Sequence, residues 1–323
     1  MVGARRDGTG GDTGDDTTPD FDQIVGQPDP RFYFATLRRF DYCIPQLAKP
    51  YFQRLILEYR RTQEVLAPNI LDIGCSYGIN AALLKCDVTL NELYDWYTAP
   101  DAAGLNRMGM LARDRGFIRD RDIHDHSRHV GLDASYPALS YGVLAGFIDD
   151  AVHADLVDSD PDERQRGQLA GLDLVISAGR PGQVTSGTIS RIIEANDGRR
   201  PWMAHFVVRT YQFDPVVETL AGLGYDTQHV DRVFKYRRFT CPAEQTQALD
   251  TLAAAKVDPR GLETDGWLFA DLFVSRPHGA PRIALVDLAP GRGASVSAGP
   301  DTDPGRRWVP RFGVPPRPAR ARG

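Results

Sequence analysis

A chain of 323 residues can hold one large domain or two small ones. With 42% hydrophobic and 25% charged residues it is ordinary for a soluble globular protein, and a formal charge of −5 excludes the basic footprint of a general nucleic-acid binder. No apolar run approaches the roughly 20 residues of a membrane span, and the N-terminus lacks the apolar core of a signal peptide, so a cytoplasmic location is expected. Cys43, Cys75, Cys86 and Cys241 form no C-x-x-C pair; buried, reduced thiols are expected rather than a zinc ribbon or redox pair. Lys49, Lys85, Lys235 and Lys256 are the only lysines. That bias toward arginine suggests a GC-rich bacterial genome.

Residues 1–22 are rich in Gly, Asp and Thr, with six Asp against two Arg. They read as a disordered acidic tail. Residues 23–62 carry apolar side chains at helical spacing, with Pro45 and Pro50 as breaks, and read as a cap of two or three short helices. Asn69–Asn80, NILDIGCSYGIN, combines a buried parallel strand, a turn bracketed by Gly74 and Gly78, and the start of a helix. A dinucleotide site wants Gly-x-Gly-x-x-Gly to meet a pyrophosphate. Here those positions hold Gly74, Ser76 and Ile79, and Asp72 would set a negative charge beside the phosphates. The turn suits a cationic ligand without phosphate, such as S-adenosylmethionine (SAM). Asp72-x-Gly74-x-x-x-Gly78 resembles motif I of the class I SAM-dependent methyltransferases.

Such a fold places the second strand's acid about 20 residues past the turn. The next candidate here is Asp133, so residues from about 87 to 128 form an insertion. Thr89-Leu-Asn-Glu92 is a capping box opening a helix through Tyr97. Ala103–Arg119 reads as a second helix with Leu105, Met108, Leu111 and Ile118 on one face. The insertion is substrate-facing or a homodimer contact. His124, His126 and His129 lie in a polar loop without metal-ligand spacing, so no metal is expected.

His129–Asp133 reads as the second strand, Ala151–Leu156 as the third, Leu172–Ser177 as the fourth and Trp202–Arg209 as the fifth. Tyr225–Val230 and Trp267–Val274 supply a terminal strand pair with a helix over Gln245–Ala255 between them. The expected fold is α/β: a seven-stranded, mostly parallel Rossmann-like sheet with helices on both faces, a helical cap and the insertion. The methyltransferase domain covers 63–280. Residues 281–323 form a Pro/Arg-rich, mostly disordered extension.

The resemblance implies SAM as cofactor, S-adenosylhomocysteine (SAH) as product and a small-molecule acceptor. The cofactor-binding residues it implies are Tyr42, Asp72, Gly74, Cys75, Gly78, Asp133, Ala134, Asp155, Leu156 and Ser177. Asp133 would hold the ribose hydroxyls, Asp155 and Leu156 the adenine, and the loop after Ser177 would lie beneath the transferred methyl. His205 and Glu92 are the candidate bases, with Tyr97, Arg209 and Tyr211 on the acceptor side. Cap, insertion and tyrosines point to an enclosed site for an aromatic molecule, such as a secondary metabolite; methylation of an indole carbon, an oxygen or a nitrogen is equally open. A nicotinamide oxidoreductase, or a SAM-binding scaffold without chemistry, are the alternatives.

Overall fold

The computed structural model describes residues 21–281 except Asp87, His124 and Arg180. The acidic tail before residue 21, the extension from residue 282, and His124 lie outside the described residues. Three helices open the described chain: α1 (Phe21–Val25), α2 (Arg31–Arg38) and α3 (Ile44–Gln63). Pro45 sits in the first turn of α3, where a missing N–H is not needed. Pro50 does not break the helix, contrary to the sequence expectation. An interior proline costs about 3 kcal/mol. Tyr51, Phe52, Leu55 and Ile56 are all buried just beyond it, and each contributes about 1.5–3 kcal/mol, so packing overrides the local cost.

Strand β1 (Asn69–Ile73) leads through the glycine turn into α4 (Ile79–Lys85). The insertion follows as α5 (Leu90–Thr98), α6 (Pro100–Ala103) and α7 (Arg107–Arg121). The Thr89–Glu92 capping box is present. Helix α7 is turned from its expected face: Met110, Leu111, Asp114 and Phe117 are buried, while Met108 is exposed. The cause is a buried carboxylate that hydrophobic periodicity could not anticipate. Asp114 accepts hydrogen bonds from Trp96 Nε1 at 2.8 Å, Tyr97 Oη at 2.7 Å and Tyr141 Oη at 2.6 Å, and those donors fix the rotation.

The remaining elements are β2 (Arg128–Asp133), α8 (Tyr136–Ala145), β3 (Asp150–His153), α9 (Glu163–Leu169), β4 (Leu174–Ser177), α10 (Ser186–Ala195), β5 (Trp202–Val208), α11 (Asp214–Gly222), β6 (Tyr225–Arg238), α12 (Pro242–Ala254) and β7 (Trp267–Pro277). The seven strands form one sheet in the order β3-β2-β1-β4-β5-β7-β6. It is parallel except for β7, which runs antiparallel to β5 and β6. One face packs on α3, α4 and the cap through Ile70, Ile176 and Phe206. The other packs on α10 and α11 through Leu71, Val175 and Met203. This is the Rossmann-like α/β architecture expected, with helices on both faces.

Strand order matters because the neighbouring strands β1 and β4 are followed by connections to opposite sides of the sheet, toward β2 and β5. The crevice between those departures, at the carboxyl ends of the strands, is where open α/β sheets bind ligands. Strand β6 is longer than expected: two register irregularities, at Val230/Val233 and Lys235/Arg237, carry it on to Arg238. Its end is stitched to the cap, since Cys43 N donates to Tyr236 O at 3.0 Å and Arg238 N donates to Phe40 O at 2.7 Å.

Candidate functional site

The β1–α4 turn is held in left-handed backbone at Gly74 (φ 71°), Ser76 (φ 51°) and Gly78 (φ 85°). Glycine adopts that region freely; serine does so at a cost and is uncommon there outside functional turns. Gly179, in the loop after β4, approaches so closely that an added Cβ would stand 2.3 Å from Gly74 O. Only glycine lets the two loops meet. They form one wall of a cavity of about 340 Å³, bounded on the other side by the cap and the end of β6. That volume is within the range of small-molecule sites, roughly 300–1,000 Å³.

Gly74, Cys75, Ser76, Asn80 and Asp133 line the cavity on the sheet side. Asp133 ends β2; its Oδ2 accepts from Ser76 N and its Oδ1 from Ser135 N, both at 2.9 Å. Asp72 is fully buried on β1 directly behind Asn80. Asn80 Nδ2 donates to both its oxygens, at 3.1 and 3.2 Å. Burial, with the nearby negative charge of Asp133 adding to it and Asn80 opposing, pushes the Asp72 carboxyl up to about 7. The donation fixes the Asn80 amide so that Oδ1 faces away from Asp72. That Oδ1 and Ser76 Oγ are both buried without a hydrogen-bond partner among the described residues.

Tyr33, Tyr42 and Tyr236 line the cap side. Tyr42 Oη donates to Ala178 O at 3.2 Å, and Tyr236 Oη to Gly179 O at 2.6 Å. Tyr33 and Tyr42 are paired through their hydroxyls, and burial raises both phenols well above their ordinary range. At the far end stands an ion pair that sequence reasoning missed. Arg237 Nη1 and Nη2 donate to Glu244 Oε2 at 3.0 Å and Oε1 at 2.6 Å. Its only sequence signal was the basic run Tyr236–Arg238, and nothing local linked that run to Glu244 on α12.

Beyond Asp133 an open groove of about 670 Å³ continues past Ala134, Tyr136, His153 and Asp155. Val25 and Pro181 line both groove and cavity. Asp155 is exposed, and its Oδ1 accepts from Val157 N at 3.0 Å. Leu156 lines a separate cleft of about 20 Å³, room for a water only. Gly78 caps α4 behind the turn and is outside the cavity lining; there a Cβ would meet Ile148 and Phe147 at 3.0 and 3.1 Å.

The structure does not bring the remaining sequence candidates to this cavity. His205 is on the opposite face of β5, fully buried, with Nδ1 2.9 Å from Ser177 Oγ and its ring against Phe213. Burial lowers it to about 3; it is a neutral core histidine. Ser177 shares that face and, with Tyr211, lines a cleft of about 20 Å³. Glu92 caps α5, accepting from Thr89 N at 2.8 Å, and its half-exposed side chain pairs with Arg121 at 3.0 Å. Tyr97 is buried against Asp114 and stacks on Phe34. Arg209 is clamped by Glu263 Oε2 at 2.7 Å and Asp258 O at 2.9 Å. Tyr51, from the same cap as Tyr42, packs on Phe206 and Phe234. Among the described residues no group of three or more His, Cys, Asp or Glu could hold a metal ion, and no helix is long and apolar enough to cross a membrane.

No family model matches the chain, and no curated protein matches it. Solved structures do overlap it. The [4+2]-cyclase SpnF is 12% identical with a TM-score of 0.35, the overlap covering 70% of this chain and 80% of that one. A SAM-dependent methyltransferase from Geobacter sulfurreducens, in complex with S-adenosyl-L-homocysteine, is 13% identical with a TM-score of 0.31, covering 69% and 89%. A TehB-like SAM-dependent methyltransferase from Corynebacterium glutamicum is 15% identical with a TM-score of 0.32, covering 71% and 98%. Overlaps at this level carry no inference about chemistry.

Proposed function

We propose that the cavity and its adjoining groove bind SAM and that the protein transfers the methyl group to a small, aromatic acceptor. The observation that carries this reading is a pair of buried polar atoms without a partner among the described residues, Ser76 Oγ and Asn80 Oδ1, beside two carboxylates, Asp72 and Asp133. Leaving a buried polar atom unpaired costs about 1–3 kcal/mol. A cationic ligand that donates hydrogen bonds satisfies those atoms; a pyrophosphate would be repelled by the same carboxylates. This favours an ammonium-bearing nucleoside over a nicotinamide dinucleotide.

Ser76 and Asn80 would hold the amino-acid part, Asp133 the ribose hydroxyls, and the groove past Ala134, Tyr136 and Asp155 the base. When bound, the cofactor supplies an electrophilic methyl on a sulfonium. The work left to this chain is orientation, which can supply about 7–11 kcal/mol of a barrier. Tyr33 and Tyr42 are held protonated, and Glu244 is tied to Arg237 and Thr240. These residues orient an acceptor better than they deprotonate one. Methyl-labelled SAM incubated with the protein and a library of aromatic small molecules tests the proposal. Label in an acceptor supports it. SAM binding without transfer to any member supports the scaffold alternative.

A further inference from the structure

The cap-side end of the cavity lacks an assigned role, and its chemistry is specific. Glu244 reaches it from the first turn of α12 and is fixed by every partner it has. Oε2 accepts from Arg237 Nη1 at 3.0 Å, Thr240 N at 2.7 Å and Thr240 Oγ1 at 2.8 Å. Among the described residues Oε1 accepts from Arg237 Nη2 alone, at 2.6 Å. A carboxylate oxygen has room for about two such bonds, so Oε1 keeps accepting capacity at the wall of the cavity. Arg237 is buried, 5% exposed, and the Glu244 side chain is 18% exposed. A buried ion pair is weak evidence of stability, because apolar residues of the same volume do as well or better. Its position on a ligand-sized cavity gives it another use.

Charge narrows what it meets. Among the described lining residues the charged side chains are Arg237, Glu244 and Asp133, the first two paired with each other. A carboxylate brought against Glu244 meets a like charge, whereas an N–H donor meets an acceptor. Tyr42, Tyr236, Leu37 and Pro45 line the same cavity; the two tyrosine rings meet edge to face, 5.4 Å apart at 73°, which leaves mostly apolar surface for an aromatic ring to pack against.

We propose that Glu244 is the acceptor-recognition residue of this cavity, its Oε1 taking an N–H donor from an aromatic amine whose ring lies against Tyr42 and Tyr236. This rests on the methyl-transfer reading and deepens it by naming the acceptor's class. Glu244 acts here as a fixed hydrogen-bond acceptor; Arg237 and Thr240 hold it ionised and in place.

The test holds the ring constant and changes the charge. SAH-saturated protein is titrated with tryptamine and with indole-3-acetate, followed by saturation-transfer NMR, for wild type and Glu244→Gln. Tryptamine is expected to bind and indole-3-acetate to bind roughly tenfold or more weakly, and Glu244→Gln to weaken tryptamine by a similar factor. Equal binding of the two probes, tighter binding of the acid, no binding by either, or unchanged tryptamine affinity in the variant overturns the proposal. The wild-type comparison stands even if the variant does not fold. SAH saturation is measured first, so loss of cofactor binding, which would defeat the underlying reading, is seen separately.

Discussion

Asn80 stands between Asp72 and the cavity: its Nδ2 donates to both carboxylate oxygens, at 3.1 and 3.2 Å, while its Oδ1 is left buried and unpaired among the described residues. The amide therefore faces a buried acid on one side and presents an unmet acceptor on the other. Folding raises the Asp72 carboxyl from 3.8 to about 7. Between those values the folded protein holds a proton that the unfolded chain has lost, so this group's contribution to stability falls as pH rises through that window. Below it the contribution is fully present; above about 7 the penalty is constant. Asp72→Asn carries no such penalty. It is expected to melt above wild type at pH 8, with the gap closing toward pH 4, and to bind SAM more weakly at pH 8. Thermal melts at the two pH values check the first expectation. A gap that does not change with pH contradicts it.

Asp133 joins two loops as well as lining the cavity. Replacing it by alanine removes the acceptor of Ser76 N and Ser135 N and, on the proposed reading, that of the ribose hydroxyls. SAH affinity should fall by about 1.5–3 kcal/mol, the range for hydrogen bonds to a charged group, measured by calorimetry. Unchanged affinity would mean that the nucleoside lies elsewhere.

Gly179 and Gly74 are in contact that a methyl group cannot share, at 2.3 Å for the added Cβ. Gly179→Ala forces the backbone of the turn to move and is expected to cost about 1–3 kcal/mol of stability, with weaker SAH binding. Gly222→Ala is the control. It ends α11 with nothing within 4 Å of its Cβ position, and should stabilise by about 0.4–1 kcal/mol. Denaturant unfolding of the two variants separates them; equal stability changes contradict the close approach.

His205 belongs to the core, so its loss should show in stability and not in cofactor binding. Burial lowers it from 6.5 to about 3. It thus contributes stability above its ordinary range that is lost as pH falls toward 3. His205→Gln is expected to melt lower at pH 7, to lose part of the acid sensitivity, and to bind SAH as wild type does. Reduced SAH affinity in a folded variant contradicts this placement.

The parts of the fold written in local pattern were legible in the sequence. The apolar run of β1 with Asp72 and its glycine turn located the carboxyl edge of the sheet. The Thr89–Glu92 capping box located α5, because both its bonds lie within one turn of chain. What could not be read depended on partners distant in sequence. Asp114 gathers Trp96, Tyr97 and Tyr141 from two other helices, and nothing near Asp114 in the sequence pointed to them. Arg237 meets Glu244 only because two bulges extend β6 to α12. His205 and Glu92 had the right chemistry for a base, but strand alternation turned one to the far face and the capping box used the other. Asn80 was read only as the start of a helix; its partner is eight residues back, across the turn.

The central claim is that the turn between β1 and α4 serves a cationic nucleoside and no dinucleotide. Isothermal titration of the full chain with SAM, SAH and NADH at pH 8 tests it most directly. Saturable, one-to-one binding of SAM and SAH is expected, weakened in Asp133→Ala, with no heat from NADH. Saturable NADH binding with none for SAM or SAH would contradict it.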